Sequence, residues 1–120
     1  MKSLTTTVAR IIFAIPFLIF GIFHFMNMTQ MAGYLSEWPL AKFFVIFSGV
    51  GFILASIAMI INRFARLAAL LLALELLIII LAIHVPGLSN PDMMQMNITA
   101  ILKNTGLIGG ALMVAGFSKN

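Results

Sequence analysis

The sequence predicts an all-α fold: a membrane-embedded antiparallel four-helix bundle with a short interfacial helix in the first outer loop, forming one domain over residues 1–120. Composition is the first reason. Hydrophobic residues make up 62% of the chain and charged residues 8%, against about 25% charged in a soluble domain. The mean hydropathy is +1.17. The second reason is segmentation: the apolar residues fall into runs long enough to cross a bilayer core of roughly 30 Å, and 120 residues leave room for about four of them. The third is charge placement. The basic residues gather at the ends of these runs and form no patch for nucleic acid; retention on one membrane face accounts for them and for the pI near 10.2.

The first span is predicted over roughly residues 7–26, and Lys2 before it with no small-residue cleavage site after it reads as a retained span, not a cleaved signal. Pro16 lies inside; a membrane helix tolerates it because neighbours satisfy the freed carbonyl. At 100° per residue Arg10, Ala14, Phe17, Gly21 and His24 share one face, and its small residues point that face into the bundle. In the following loop Met28, Met31, Ala32 and Leu35 recur at the spacing of an amphipathic half-helix, which Trp38-Pro39 ends. Tyr34 and Trp38 suit the headgroup layer.

The second span, roughly 43–61, is uncharged and carries Gly51 and Ala55 as a small pair. A turn of a few residues makes it a hairpin with the third span, roughly 64–84. From Arg66 to His84 is about 27 Å of helix at 1.5 Å per residue, with Glu75 halfway. A carboxylate near the bilayer centre costs roughly 2.5–3.5 kcal/mol, so it should face protein, be paired or be protonated. In a regular helix His84 lies half a turn round from Glu75. The fourth span, roughly 97–117, holds Lys103 on the face of the Gly106/Gly110 pair, which is expected to pack inward. Lys2, Arg10, Arg63, Arg66 and Lys119 lie toward the side of the termini, which predicts that both termini are cytoplasmic. His24, Glu37, Trp38, Lys42, His84 and Asp92 then gather at the outer face.

Several short segments recur in a familiar order: Arg10 with the later FGIFHF of Phe20 to Phe25, the loop ending Trp38-Pro39, RFARLAAL of Arg63 to Leu70, HVP of His84 to Pro86, and KNTGLIGGALMVAG of Lys103 to Gly116. In these the chain resembles the DoxX family of small four-span membrane proteins. The resemblance implies a four-helix bundle in a bacterial inner membrane and an association with membrane oxidoreductase assemblies, including quinone-reducing ones. Family members often carry a carboxylate in the second span. This chain has none there; either Glu75 in the third span takes over that role or the role is missing.

Three constellations are candidate sites. Glu75 and Lys103 lie at similar depth, so an interior ion pair is feasible, with Arg10 the alternative partner; a purely structural pair would look the same in sequence. His24 and His84 at outer span ends, with Trp38 and Asp92 beside them, could ligate haem iron or another metal, or simply bond headgroups and loop carbonyls. Met26, Met28, Met31, Met93, Met94 and Met96 cluster in or beside the outer loops, where thioethers suit Cu(I) or adaptable apolar packing. The chain has no cysteine, which excludes a thiolate nucleophile and cysteine-ligated zinc or iron–sulfur. No Ser–His–Asp pattern, carboxylate pair or phosphate loop is present, so an enzyme acting alone is not expected. The leading reading is a non-catalytic membrane subunit or scaffold that holds a quinone or lipid in its bundle, with the lipid bilayer and a membrane protein or a second copy of itself as partners. A small carrier or channel through Glu75 and Lys103, and an outer-face Cu(I) or haem protein, are the alternatives.

Overall fold

The structure is a computed structural model that describes residues 2–33 and 40–118, and their side chains except those of residues 2, 3 and 30–32. The described residues form α1 (Lys2–Met26), α2 (Met28–Gly33), α3 (Ala41–Ile61), α4 (Ala65–Ile79), α5 (Val85–Gly87) and α6 (Met94–Phe117). A π-helical turn, Ile80–His84, joins α4 to α5, and a 3₁₀ turn, Pro91–Met93, leads into α6. Four helical segments are long and apolar enough to cross a membrane: Leu4–Met26, Ala41–Ile61, Ala65–Gly87 and Pro91–Phe117. They alternate in direction. α1 packs mainly on α3 and α4 mainly on α6, while α3 and α4 join the two pairs. The loop-side helix α2 leans on α3, where Met28 packs with Ala41, Val45 and Ile83.

Residue size explains the packing. Ala14, Ala55, Ala65, Ala68, Ala69, Ala73, Ala111 and Ala115 are buried, whereas Ile12, Phe47, Leu54, Leu71, Leu81, Leu102 and Met113 face outward. In water this inside-out pattern would expose far more contiguous apolar surface than a soluble monomer carries. In lipid it is the stable arrangement: tails solvate the large side chains, and small residues let the backbones approach. Phe17, Phe52, Met59 and Leu72 fill the gaps among the alanines, with Phe17 and Phe52 rings 5.8 Å apart.

At the end of the bundle that holds the termini, arginines close helix ends. Arg10 donates from Nε to the Met59 carbonyl at 2.7 Å, and Arg66 donates from Nε to the Ala115 carbonyl at 3.0 Å. Both acceptors lie in the last turn of a helix, where carbonyls lack intrahelical partners and a cation is favoured. In both cases donor and acceptor are 49 residues apart, so the two helix pairs repeat one device although no repeat is legible in the sequence. The hairpin between the pairs is tight: Asn62 and Phe64 both adopt positive φ, at 58° and 55°. The N–H groups of Asn62 and Arg63 return to the Ala58 carbonyl and complete the end of α3.

The π turn makes the outer end of the third span depart from a regular helix. Pro86 has no N–H to continue the α-helical pattern, and Val85 bonds five residues back to Ile80. The wider turn absorbs about one extra residue, which rotates everything beyond it by roughly a quarter turn relative to a regular helix. His84 therefore does not stand where a regular helix would put it; it turns toward α6.

Candidate functional site

The inward face of α1 is the one its periodicity predicts: Arg10, Ala14, Phe17 and Gly21 are buried and His24 is half-buried. Near the loop end of that face His24 meets α3. Its Nδ1 lies 2.6 Å from the Phe20 carbonyl. A carbonyl only accepts, so Nδ1 carries the proton and donates. Nε2 lies 3.5 Å from Ser48 Oγ, at the outer limit of a hydrogen bond. The Ser48 hydroxyl in turn donates to Glu75 Oε2 at 2.8 Å. Three helices thus supply one hydrogen-bonded string, His24–Ser48–Glu75.

Two glycines on α3 make room for it. A β-carbon on Gly49 would come within 2.8 Å of His24 Cβ and 3.3 Å of the Gly21 carbonyl. One on Gly51 would overlap Glu75 Oε1 and lie 3.3 Å from Cδ. The string has an apolar floor: the His24 ring stands edge-on to Phe52 at 5.3 Å, and Phe52 packs on Phe17.

A second polar contact lies nearer the loops. His84 Nδ1 is 2.9 Å from Asn97 Oδ1, and Asn97 Nδ2 donates to the Met93 carbonyl at 2.9 Å. With its NH₂ committed as donor, Asn97 presents only oxygen to His84, so Nδ1 is the donor there. Gly87 permits this approach, since a β-carbon would fall 2.7 Å from Asn97 Cγ. Two turns further along α6 the same buried stripe brings Asn104, which is 6% exposed. Asn104 is seven residues from Asn97 and Glu75 nine from His84, about 10 Å and 13 Å at 1.5 Å per residue, so Asn104 and Glu75 lie at similar depth.

The expected partners of Glu75 are elsewhere. Lys103 faces outward, its ammonium 5.5 Å from the centre of the Phe20 ring. Arg10 is committed to the end of α3. No ion pair joins Glu75 to either among the described residues; Ser48 is its hydrogen-bond partner. The Gly106/Gly110 face is divided: Gly110 lies against the Phe13 ring, whereas a β-carbon on Gly106 would meet nothing within 4 Å. The two histidines bond different neighbours, His24 toward α3 and His84 toward α6. Asp92 is exposed in the 3₁₀ turn, where its backbone N–H is capped by Asn90. Trp38 lies outside the described residues, as does the side chain of Met31. Met26, Met94 and Met96 are exposed, Met93 is half-exposed, and Met28 packs on Val45. Among the described residues no three His, Asp or Glu side chains gather in metal-ligand fashion.

The fold and the site define a four-span integral membrane protein with a hydrogen-bonded polar cluster in the loop-side half of its bundle. The DoxX family model matches residues 5–85, more than half of the chain, and the protein belongs to the DoxX family. The matched part contains the whole His24–Ser48–Glu75 string and ends before the fourth span. No curated protein and no solved structure matches the chain.

Proposed function

We propose that the protein is a non-catalytic integral membrane subunit or scaffold that supports a membrane oxidoreductase assembly and holds a quinone or lipid against its polar cluster. The observation that carries this reading is the half-buried His24–Ser48–Glu75 string, in which three helices bring polar side chains together around a carboxyl group. An intramembrane ionisable residue marks a functional site by default. The chemistry suits a quinone head, since Glu75 and His24 Nε2 can accept from hydroxyls. Family membership supports the redox association. We place the protein in a bacterial inner membrane with both termini cytoplasmic, on the strength of Arg10, Arg63 and Arg66 lying toward one end of the bundle.

The test is native mass spectrometry of tagged protein released from its own membrane in a mild detergent. The expected result is a complex with a second membrane protein, together with a retained quinone or lipid that is lost in Glu75→Gln. A bare chain that releases neither partner nor ligand would overturn the proposal.

A further inference from the structure

We propose that His24, Ser48 and Glu75 form a proton relay through which Glu75 exchanges a single proton with water at the loop face of the bundle. This goes beyond the role proposed above and does not depend on the partner or ligand named there.

The first step is a count of hydrogens. His24 Nδ1 holds its own in the bond to the Phe20 carbonyl and cannot offer an acceptor there. The Ser48 hydroxyl has one hydrogen and stands between two acceptors, Glu75 Oε2 at 2.8 Å and His24 Nε2 at 3.5 Å. With one proton shared between the two end groups, both contacts are hydrogen bonds in two arrangements. In one, Ser48 donates to a Glu75 carboxylate and His24 Nε2–H donates to Ser48, so the imidazole is cationic. In the other, a protonated Glu75 donates to Ser48, Ser48 donates to His24 Nε2, and both end groups are neutral. The two arrangements contain the same number of protons and have the same net charge. They interconvert when the Glu75 O–H bond breaks as a new Ser48 O–H forms, while the old Ser48 O–H breaks as His24 Nε2–H forms. Exchange with water is completed when a loop-side water takes the Nδ1 proton of the cationic His24 in place of the Phe20 carbonyl, leaving the Nε2–H tautomer and a Glu75 carboxylate; uptake runs the reverse way, and no reactant other than water takes part.

Position determines which way the proton goes. His24 is half-buried and lies two residues from the end of α1, beside the loops. Below the string Phe52 and Phe17 pack ring on ring, and Met59, Leu72 and Ala14 are almost wholly buried beneath them. The way from Glu75 toward the termini is therefore closed by apolar side chains, and the hydroxyl of Ser48 opens the way toward His24. Other charged groups are engaged elsewhere. On α1, Arg10 bonds the end of α3; on α3, Lys42 is exposed in the first turn; on the third span, Arg66 bonds the end of α6 and His84 bonds Asn97; on α6, Lys103 lies over Phe20. α2 contributes no titratable side chain. The proton on the string is thus shared between His24 and Glu75, with no third charge bonded to either among the described residues.

The experiment is a pH jump on the full chain in lipid nanodiscs, followed by infrared absorption of the carboxylic acid C=O stretch, assigned with Glu75→Gln. Ser48→Ala and His24→Gln should each slow the change in Glu75 protonation by roughly a hundredfold, the low end of what a positioned proton carrier contributes. Ser48→Thr, which keeps the hydroxyl, should restore the rate. An unchanged rate in either Ser48→Ala or His24→Gln would overturn the relay, because Glu75 would then reach water by another route. Should Ser48→Ala fail to fold, His24→Gln decides the question alone, since its amide can replace the contact to Ser48 without carrying a proton. Loss of the relay with partner and ligand retained would leave the proposed function standing, and the reverse result would leave the relay standing.

Discussion

Gly21→Ala and Gly106→Ala add the same methyl group to two membrane helices and should move stability in opposite directions. At Gly21 the new carbon would come within 2.5 Å of Ile53 Cγ1, 2.8 Å of the Gly49 carbonyl and 3.1 Å of the Ile53 nitrogen. Two of these three are backbone atoms, which no rotamer change can clear. α1 and α3 would have to separate, and that contact is the most extensive between any two elements. Overpacking typically costs about 1–3 kcal/mol, and a backbone clash belongs at the upper end. Alanine returns about 1 kcal/mol through helix propensity, leaving a net loss of about 2 kcal/mol for Gly21→Ala. At Gly106 the carbon meets nothing within 4 Å, so only the propensity term remains, a gain of up to about 1 kcal/mol. Reversible unfolding in mixed micelles measures both. Gly21→Ala as stable as the parent, or equal shifts in the two variants, would refute the α1–α3 crossing.

Arg10→Met removes the donor to the buried Met59 carbonyl and should cost about 1–3 kcal/mol, measurable by the same unfolding assay; Arg66→Met, with its side chain more exposed, should cost less. The double-mutant cycle of Glu75→Gln and Lys103→Met should be additive within about 0.5 kcal/mol, because the two residues have different partners; a coupling energy above about 1 kcal/mol would mean that they meet. For topology, a cysteine at Ser89 should react with a membrane-impermeant maleimide from the periplasmic side, and labelling from the cytoplasmic side alone would reverse the proposed orientation.

Helical periodicity made the inner face of α1 readable, because Arg10, Ala14, Phe17, Gly21 and His24 recur at helical spacing and small residues among them mark close approach. The half-helix at Met28 was readable for the same reason. Ser48 was not. A serine in an uncharged span carries no signal until the neighbouring helices are known, since a hydroxyl can equally bond its own helix, as Ser56 does to the Ile53 carbonyl. Lys103 shows the limit of a helical wheel. The wheel fixes its angle to Gly106 and Gly110, but only Gly110 found a neighbour, and Lys103 and Gly106 both came out on the open side. His84 and Glu75 bond different helices, as the wheel has them on different faces, but a π turn changes the angle that the wheel assumes between them. The arginine caps were hidden because their acceptors are backbone carbonyls, which every residue has.

These features divide the bundle into two halves with different means of cohesion. Lipid removes most of the hydrophobic drive between helices, so the half near the termini is held by contact between alanine-lined backbones and by two arginines on helix ends. The loop-side half relies on polar contacts, His24–Ser48–Glu75 across three helices and His84–Asn97 across the other pair. A carrier needs its ionisable centre to reach both faces in turn. Here, the layer of Phe17, Phe52, Met59 and Leu72 would have to come apart to open the way from Glu75 to the termini, and it belongs to the buried core of the bundle. The polar half can rearrange by exchanging hydrogen-bond partners while the backbone stays in place. A centre that communicates with one face only fits the proposed subunit, which holds something at the loop side, better than a conduit across the membrane.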